Sequence, residues 1–161
     1  MYKRQPASTI EALTIAHEKG IKIFIATGRP KAIINNLADI QDRGLIDGYI
    51  TMNGAYCFVG DEVIYKSAIP AGEVRALAQV CEQKGYPCIF VGEHTISVCQ
   101  PNKLVHDIFY DFLHVDEIPV KTFEEAVQEE IFQMTPFVTV EEETEIQPQI
   151  PNCESGRWFP A

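Results

Sequence analysis

The stretch Ile21–Pro30 constrains the fold of this chain more than any other. Its first half, Ile-Lys-Ile-Phe-Ile, is a nearly continuous apolar run, typical of a strand covered by helices on both faces. Thr27 and Gly28 end that run, and Pro30 is a residue favoured at the first position of a helix. The stretch therefore predicts a buried strand, a tight turn and a helix, the repeating unit of a layered α/β fold.

The turn after this strand is suited to an anion. In open α/β sheets ligands bind beyond the carboxyl ends of the strands, where Thr27 is expected. The first N–H groups and the dipole of the following helix favour negative charge. Gly28 permits either a positive φ or close approach of another group. The spacing leaves a second interpretation open, in which Thr27 only caps a helix and Arg29 is a solvated charge.

Short alternating segments surround this stretch. A capping box at Ser8 predicts a first helix, and an apolar stripe from Ile33 to Ile40 predicts another. Short loops between helices and strands predict parallel strands with right-handed crossovers. Gly60-Asp61 then predicts a hairpin, where the pattern becomes antiparallel. The predicted elements are a helix from Ser8 to about Lys19, a helix from Lys31 to about Arg43, and strands at Tyr49–Asn53, Tyr56–Val59 and Glu62–Ile69.

The rest of the chain predicts a small α+β layer, one antiparallel sheet with helices on one face. Two more capping boxes, at Thr122 and Thr139, mark helix starts. The predicted helices are Pro70–Gly85, 101–113, a short one after Thr122 and an acidic one after Thr139; the predicted strands are Pro87–Gly92, Thr95–Gln100, Glu130–Val138 and Cys153–Phe159.

Composition excludes several classes of function. The 161 residues are 46% hydrophobic and 22% charged, as in a globular protein, and no apolar run approaches a membrane span. The net charge of −10 argues against nucleic acid or anionic lipid as a partner, so a phosphate site needs local positive charge from Arg29, Lys31 or a metal. No leader is visible, and we expect a cytoplasmic protein. Five cysteines without a C-x-x-C pair predict reduced, mostly buried thiols.

Two short motifs carry a family resemblance. Ala-Thr-Gly-Arg-Pro at 26–30 and Thr-Met-Asn-Gly-Ala at 51–55 resemble those of the haloacid dehalogenase-like phosphatases, most closely the Cof-type (subclass IIB) group. The resemblance extends from Pro6 to Ala161. It implies a partial Rossmann-like parallel core at residues 1–66 and an α+β cap domain with an antiparallel sheet at residues 67–161.

The resemblance also assigns roles. Thr27 matches the catalytic hydroxyl that hydrogen-bonds the transferring phosphoryl group. Gly28 and Arg29 match the residues that shape the turn and the substrate side of the pocket, and Asn53 matches the asparagine at the junction of core and cap, which would face the same cleft. The resemblance thus implies that Thr27, Gly28, Arg29 and Asn53 bind the substrate phosphate. The implied reaction is Mg²⁺-dependent hydrolysis of a small phosphorylated metabolite, such as a sugar phosphate, through an aspartyl-phosphate.

The departures from the family pattern are as informative as the matching motifs. The motif Asp-x-Asp-Gly-Thr, with the nucleophile, is expected before Pro6, where only Met-Tyr-Lys-Arg-Gln stands. The later lysine and the Gly-Asp-Gly-x-Asn-Asp metal motif are also missing, so we predict no metal ligands in this chain. We interpret it as an internal part of the enzyme, inactive alone, and residues 1–5 as a junction artefact. The alternative is a non-catalytic ligand-binding or protein-interaction module.

Other polar features have ordinary explanations. The run Glu141–Glu143 is expected in the first turn of a helix, where the dipole favours acids, and is interpreted as a solvated face. His94 at a hairpin and His114 after a helix are cap residues that could face a substrate, and a surface position is the interpretation that we favour for each.

Overall fold

The computed structural model describes residues 5–34 and 37–157. Residues up to Ser67 form one compact unit, here the first unit, and residues from Ala68 onward form the second unit. The first contains a mixed sheet with a parallel strand pair, and the second an antiparallel sheet. The predicted fold class is confirmed.

The first unit has a four-stranded sheet in the order β1-β2-β3-β4. β1 and β2 are parallel, with Phe24 opposite Gly48, and the other neighbours are antiparallel. Gly60, with φ 57°, makes the predicted hairpin turn. The elements of this unit are α1 (Ala7–Glu18), β1 (Phe24–Ala26), a 3₁₀ turn (Lys31–Ile33), α2 (Ala38–Gln41), β2 (Gly48–Thr51), a 3₁₀ turn (Met52–Gly54), β3 (Tyr56–Val59) and β4 (Glu62–Lys66).

The predicted helix from Lys31 to Arg43 is wrong as one element. A single 3₁₀ turn ends at Ile33, the backbone of Ile34 is extended, and α2 has only four residues. The Asn35-Asn36 part of this prediction lies outside the described residues. Adjacent β-branched residues and asparagines are poor helix formers, which explains why the apolar stripe alone does not maintain a helix here.

Two further expectations for the first unit are corrected. The start of α1 is capped by Pro6 without a side-chain hydrogen bond, so the predicted Ser8 capping box does not form. β1 is also less buried than its sequence predicts, since Ile21 and Phe24 are 56% and 48% exposed. β1 lies at an edge of the described sheet, with β2 as its neighbour.

Asp47 fixes the start of the parallel strand pair. Its carboxylate accepts hydrogen bonds from the Ile23 N–H (2.8 Å) and the Lys22 ammonium (2.8 Å), and its own N–H donates to the Ile23 carbonyl (2.8 Å). These partners, Lys22 first, lower the pKa of Asp47 below its ordinary 3.8. Asp47 therefore sets the register that carries β1 toward Thr27.

We expect Asp47→Asn to lower the urea midpoint of unfolding at pH 7, because the charged acceptor is lost. A carboxyl whose pKa is lowered by folding stabilises the protein above its unfolded pKa, and that contribution is lost as the pH falls through the folded value. The difference between wild type and variant should therefore be full at pH 7 and shrink below the ordinary pKa of 3.8. Asp42→Asn, at an exposed position, is the control. A difference that persists unchanged in acid would contradict this role.

The second unit has a three-stranded antiparallel sheet in the order β6-β5-β7. Its predicted capping boxes at Thr122 and Thr139 are both confirmed, and Gly85 after α3 has a left-handed backbone. The elements are α3 (Ala71–Lys84), β5 (Cys88–Gly92), β6 (Ile96–Cys99), α4 (Lys103–Val105), a π-helix (His106–Phe112), α5 (Phe123–Ala126), β7 (Ile131–Pro136), α6 (Val140–Ile146) and a 3₁₀ turn (Gln147–Gln149).

The core of the second unit lies between the sheet and its helices. Every residue of β5 is buried, because this strand is the centre of the sheet. Phe90 is 1% exposed and contacts the Phe123 ring edge-on, with 5.9 Å between ring centroids. Cys81, Cys88 and Cys99 are also buried, as predicted, and Cys88 and Cys99 lie opposite each other on adjacent strands.

Two segments of the second unit differ from prediction. The predicted helix 101–113 begins instead with α4, capped by Asn102, and continues as a π-helix. Residues 153–157 form no strand, and the rest of the predicted Cys153–Phe159 strand lies outside the described residues. The buried Glu73 carboxylate holds this last segment, because it accepts hydrogen bonds from the Asn152 N–H (3.2 Å) and the Cys153 thiol (2.9 Å).

Candidate functional site

Thr27 lies directly after β1, where its N–H continues the parallel pairing by donating to the Ile50 carbonyl (2.9 Å). The half-buried Thr27 hydroxyl oxygen accepts a hydrogen bond from the Arg29 N–H (3.1 Å). A threonine hydroxyl has one proton to donate and can accept at its oxygen. Since the oxygen already accepts from Arg29, the hydroxyl proton is left for another acceptor.

The turn between β2 and β3 lies against the Thr27 turn. The Asn53 N–H donates to the Thr27 carbonyl (3.3 Å), and the Met52 N–H donates to the Arg29 carbonyl (3.4 Å). Both residues have left-handed backbones, with φ 50° at Met52 and 56° at Asn53. The structure thus brings together the predicted site residues Thr27, Gly28, Arg29 and Asn53 within the first unit.

Gly28 is required by close approach. Its φ lies outside the left-handed region, but a Cβ at this position would lie 2.8 Å from Asn53 Oδ1. The sequence left open whether Gly28 serves a positive φ or close packing, and the structure selects close packing. The exposed Gly28 N–H donates to none of the described residues, and so it is a second available donor beside the Thr27 hydroxyl.

Arg29 and Lys31 bring positive charge to this turn. The half-buried Arg29 guanidinium donates to the Ile33 carbonyl (3.3 Å), which supports the 3₁₀ turn. The Lys31 ammonium lies over the Phe58 ring, 4.7 Å from its centroid. Arg29 has further donors in its planar group, whereas the packing of Lys31 on Phe58 directs that cation toward the sheet.

One argument for an anion site needs correction. The sequence predicted a helix dipole beyond Pro30, but Lys31–Ile33 is one 3₁₀ turn and gives no aligned stack of peptide dipoles. The remaining donors are the Thr27 hydroxyl and the Gly28 N–H, with the positive charge of Arg29 beside them. The site therefore depends on specific hydrogen-bond donors.

The residues at the Thr27 turn do not fit a magnesium ion. Mg²⁺ in proteins takes carboxylate and other oxygen ligands, and in the described part of the chain the one grouping of three candidate ligand side chains is His106, Asp107 and Asp111, in the second unit. Asp107 is already paired with the Lys103 ammonium at 2.5 Å. We assign no metal to these side chains.

The remaining candidates lie on the surface of the second unit. His94 is largely exposed and within 3.4 Å of the Glu93 carboxylate, and His114 is exposed with φ 52°. Glu142 closes the Thr139 capping box and Glu143 pairs with Arg157 (2.7 Å). The acidic run thus serves the start of α6, as predicted.

Comparison with known families identifies the chain. The family model described as haloacid dehalogenase-like hydrolase matches residues 2–156. The chain belongs to this family. The predicted relationship is confirmed, and members of this family among its relatives are phosphatases.

Several relatives define its place within the haloacid dehalogenase-like hydrolases. The subclass IIB sugar phosphatase BT4131 shares 72% sequence identity with this chain, and its structure matches that of this chain with a TM-score of 0.89. BT1666 of Bacteroides thetaiotaomicron is 27% identical, with a TM-score of 0.78. YkrA of Bacillus subtilis (strain 168), whose name assigns it provisionally to the phosphatases, is 27% identical over 161 residues.

The chain spans about three fifths of these relatives. The matches cover 98% of this chain and 61% of BT4131, 98% and 57% for BT1666, and 97% and 59% for YkrA. None of the helices in the described part of the chain combines the length and apolar character needed to cross a lipid bilayer.

Sequence reasoning missed two residues that build the site. Met52 supplies a buried anchor and a backbone donor to the Arg29 carbonyl, and Asp47 fixes the strand pair. From the sequence, Asp47 is interpreted only as a surface or turn acid just after a helix, although its place between a helix and a strand was a weak signal. Met52 gave no signal, since left-handed backbone at methionine is not expected from sequence.

Proposed function

We propose that this chain supplies the phosphoryl-holding turn of a phosphatase that acts on a small phosphorylated metabolite, a sugar phosphate being the class best supported. The observation that carries the proposal is the Thr27 hydroxyl, whose oxygen is held by the Arg29 N–H so that its proton is available for an anion. The Gly28 N–H beside it is a second donor. The 72% identity to a sugar phosphatase supports the substrate class.

The roles of the residues follow from the charge of the reaction. In phosphoryl transfer negative charge is spread over the equatorial oxygens, and fixed donors aimed at those oxygens stabilise the transition state. Thr27 donates its hydroxyl proton to one of them and Gly28 its N–H, while Arg29 adds positive charge at the mouth of the turn. We assign residues 1–66 to the core and 67–161 to the cap.

The complete reaction needs groups that the described residues around Thr27 do not supply. We propose that the aspartate nucleophile and the Mg²⁺ ligands are contributed from outside these 161 residues, and that the chain by itself is inactive. Bound Mg²⁺ would neutralise phosphate charge in the complete enzyme. The net charge of −10 supports a small-molecule substrate over nucleic acid, and we propose a cytoplasmic location.

A chimaera tests this proposal. The matched segment of BT4131 would be replaced by this chain, which covers 61% of that protein. We expect the chimaera to release phosphate from sugar phosphates with Mg²⁺, and the 161-residue chain to give no turnover of p-nitrophenyl phosphate. A folded but inactive chimaera would contradict the proposed function. Robust activity of the chain alone would contradict the proposal that the nucleophile and the Mg²⁺ ligands come from outside these residues.

A second candidate, a non-catalytic interaction module, is favoured by one observation. Phe24, Ile50 and Val59 are 48%, 38% and 39% exposed, and the strand register places them on one face of the first sheet. Exposed apolar faces of this kind mark interaction surfaces. Size-exclusion chromatography and ligand-dependent melting distinguish the phosphatase from the interaction module. The module would be favoured if the chain is a stable monomer that binds a sugar phosphate while its chimaera is inactive.

A further inference from the structure

Three contacts join the β2–β3 turn to the turn that carries Thr27. Two are backbone hydrogen bonds, from Asn53 to the Thr27 carbonyl (3.3 Å) and from Met52 to the Arg29 carbonyl (3.4 Å). The third is the Asn53 side chain, whose Oδ1 lies 2.8 Å from the ideal position of a Cβ at Gly28. The peptide group before Gly28 and the peptide group after Arg29 are therefore both held from the β2–β3 turn.

The conformation that makes these contacts is costly and is maintained by packing. Left-handed backbone costs an ordinary residue roughly 1–2 kcal/mol, whereas asparagine tolerates it better. Met52 adopts it at φ 50° although it is neither glycine nor asparagine, and the residue is 4% exposed. The buried Thr51 hydroxyl donates to the Tyr56 carbonyl (2.8 Å) and closes the turn from behind. Such strain persists where the surroundings determine it and is concentrated at functional sites.

We propose that Asn53 is a positioning residue of the phosphate site, anchored by the buried Met52, and that it acts by holding the Thr27–Gly28–Arg29 turn. This inference rests on the proposed function and changes the role of Asn53 from a phosphate ligand to a support. Its side chain restricts Gly28, which keeps the Arg29 N–H on the Thr27 oxygen at 3.1 Å. That hydrogen bond occupies the Thr27 oxygen as an acceptor and leaves its hydroxyl proton to be donated elsewhere.

The pair Gly28 and Asn53 offers a direct test. In Gly28→Ala the new methyl group would meet Oδ1, the far end of a side chain that can rotate away, so the protein still folds while Asn53 loses its place. Asn53→Gly removes the obstacle and accommodates φ 56° without strain. The effect of Gly28→Ala should therefore depend on whether Asn53 is present.

The experiment compares wild type, each single variant and the double variant of the full chain. Amide NMR spectra report the Thr27 and Arg29 N–H groups, and titration with inorganic phosphate reports affinity. We expect Gly28→Ala to shift the Arg29 amide resonance and to weaken phosphate binding about tenfold, a coupling within the usual range for residues in contact. In the Asn53→Gly background, Gly28→Ala should weaken phosphate binding by less than about threefold. Gly72→Ala, whose Cβ would have no neighbour within 4 Å, is the matched control.

Three results would overturn the inference. One is an equal effect of Gly28→Ala in both backgrounds. Another is an Arg29 amide resonance that does not move in Gly28→Ala. The third is loss of phosphate binding in Asn53→Gly with unchanged Thr27 and Arg29 resonances, since that would make Asn53 a direct ligand. Absence of any phosphate effect on wild type would instead contradict the proposed function, and the Arg29 resonance would still decide the positioning role.

Discussion

Thr27→Val in the BT4131 chimaera should lower kcat about 10²- to 10³-fold, the loss found when one preorganised donor to a developing oxyanion is removed. Valine keeps the shape of the side chain and removes the proton that we assign to a phosphoryl oxygen. It also removes the acceptor of the Arg29 N–H, 3.1 Å away. Steady-state kinetics with a sugar phosphate measures the effect.

The control for this prediction is Thr27→Ser, which keeps the hydroxyl and should retain most of the activity. Because the donor acts mainly on transition-state charge, kcat should fall much more than KM rises. A variant that loses only affinity, with kcat unchanged, would show that Thr27 binds substrate without stabilising the transition state. Unchanged kinetics in Thr27→Val would remove Thr27 from the mechanism.

Phe90→Ala should lower the free energy of unfolding by about 3–5 kcal/mol, the usual cost of removing a buried aromatic ring. Phe90 is 1% exposed on the central strand β5, and its ring contacts Phe123 edge-on. The truncation leaves a cavity between the sheet and its helices. Urea unfolding followed by far-UV circular dichroism measures the loss.

Phe112→Ala is the matched control, because Phe112 is 64% exposed at the end of the π-helix. A surface change of this kind usually alters stability by no more than about 0.5 kcal/mol. Equal losses in the two variants would contradict the placement of Phe90 in the core of the second unit.

Local sequence patterns predicted elements whose stabilising contacts are also local. The hairpin at Gly60, the end of α3 at Gly85 and the capping boxes at Thr122 and Thr139 each depend on residues within one turn of the chain. The same kind of pattern failed at Ser8, where Pro6 occupies the cap position of α1 and its side chain makes no capping hydrogen bond. A capping box thus forms only where its serine or threonine itself occupies the cap position, and Ser8 lies inside α1.

Two predictions failed for different reasons, one from weak local helix propensity and one from long-range contacts. The apolar stripe from Ile33 to Ile40 marks buried side chains but forms a 3₁₀ turn and a separate four-residue helix. The last segment, predicted as a strand, is instead held by Glu73, 79 residues away from Asn152. The hydrophobic periodicity of one short stretch of sequence predicts neither outcome.

The sequence by itself determined that a hydroxyl and a glycine follow a strand, and the two motifs that it contains led to the family. Only the tertiary structure decided what these residues contact: Gly28 lies against Asn53, and Asp47 holds Ile23 across 24 residues. The physical reason is that turn and capping preferences depend on neighbours along the chain, whereas close approach and the direction of a hydroxyl proton depend on strands that meet only after folding.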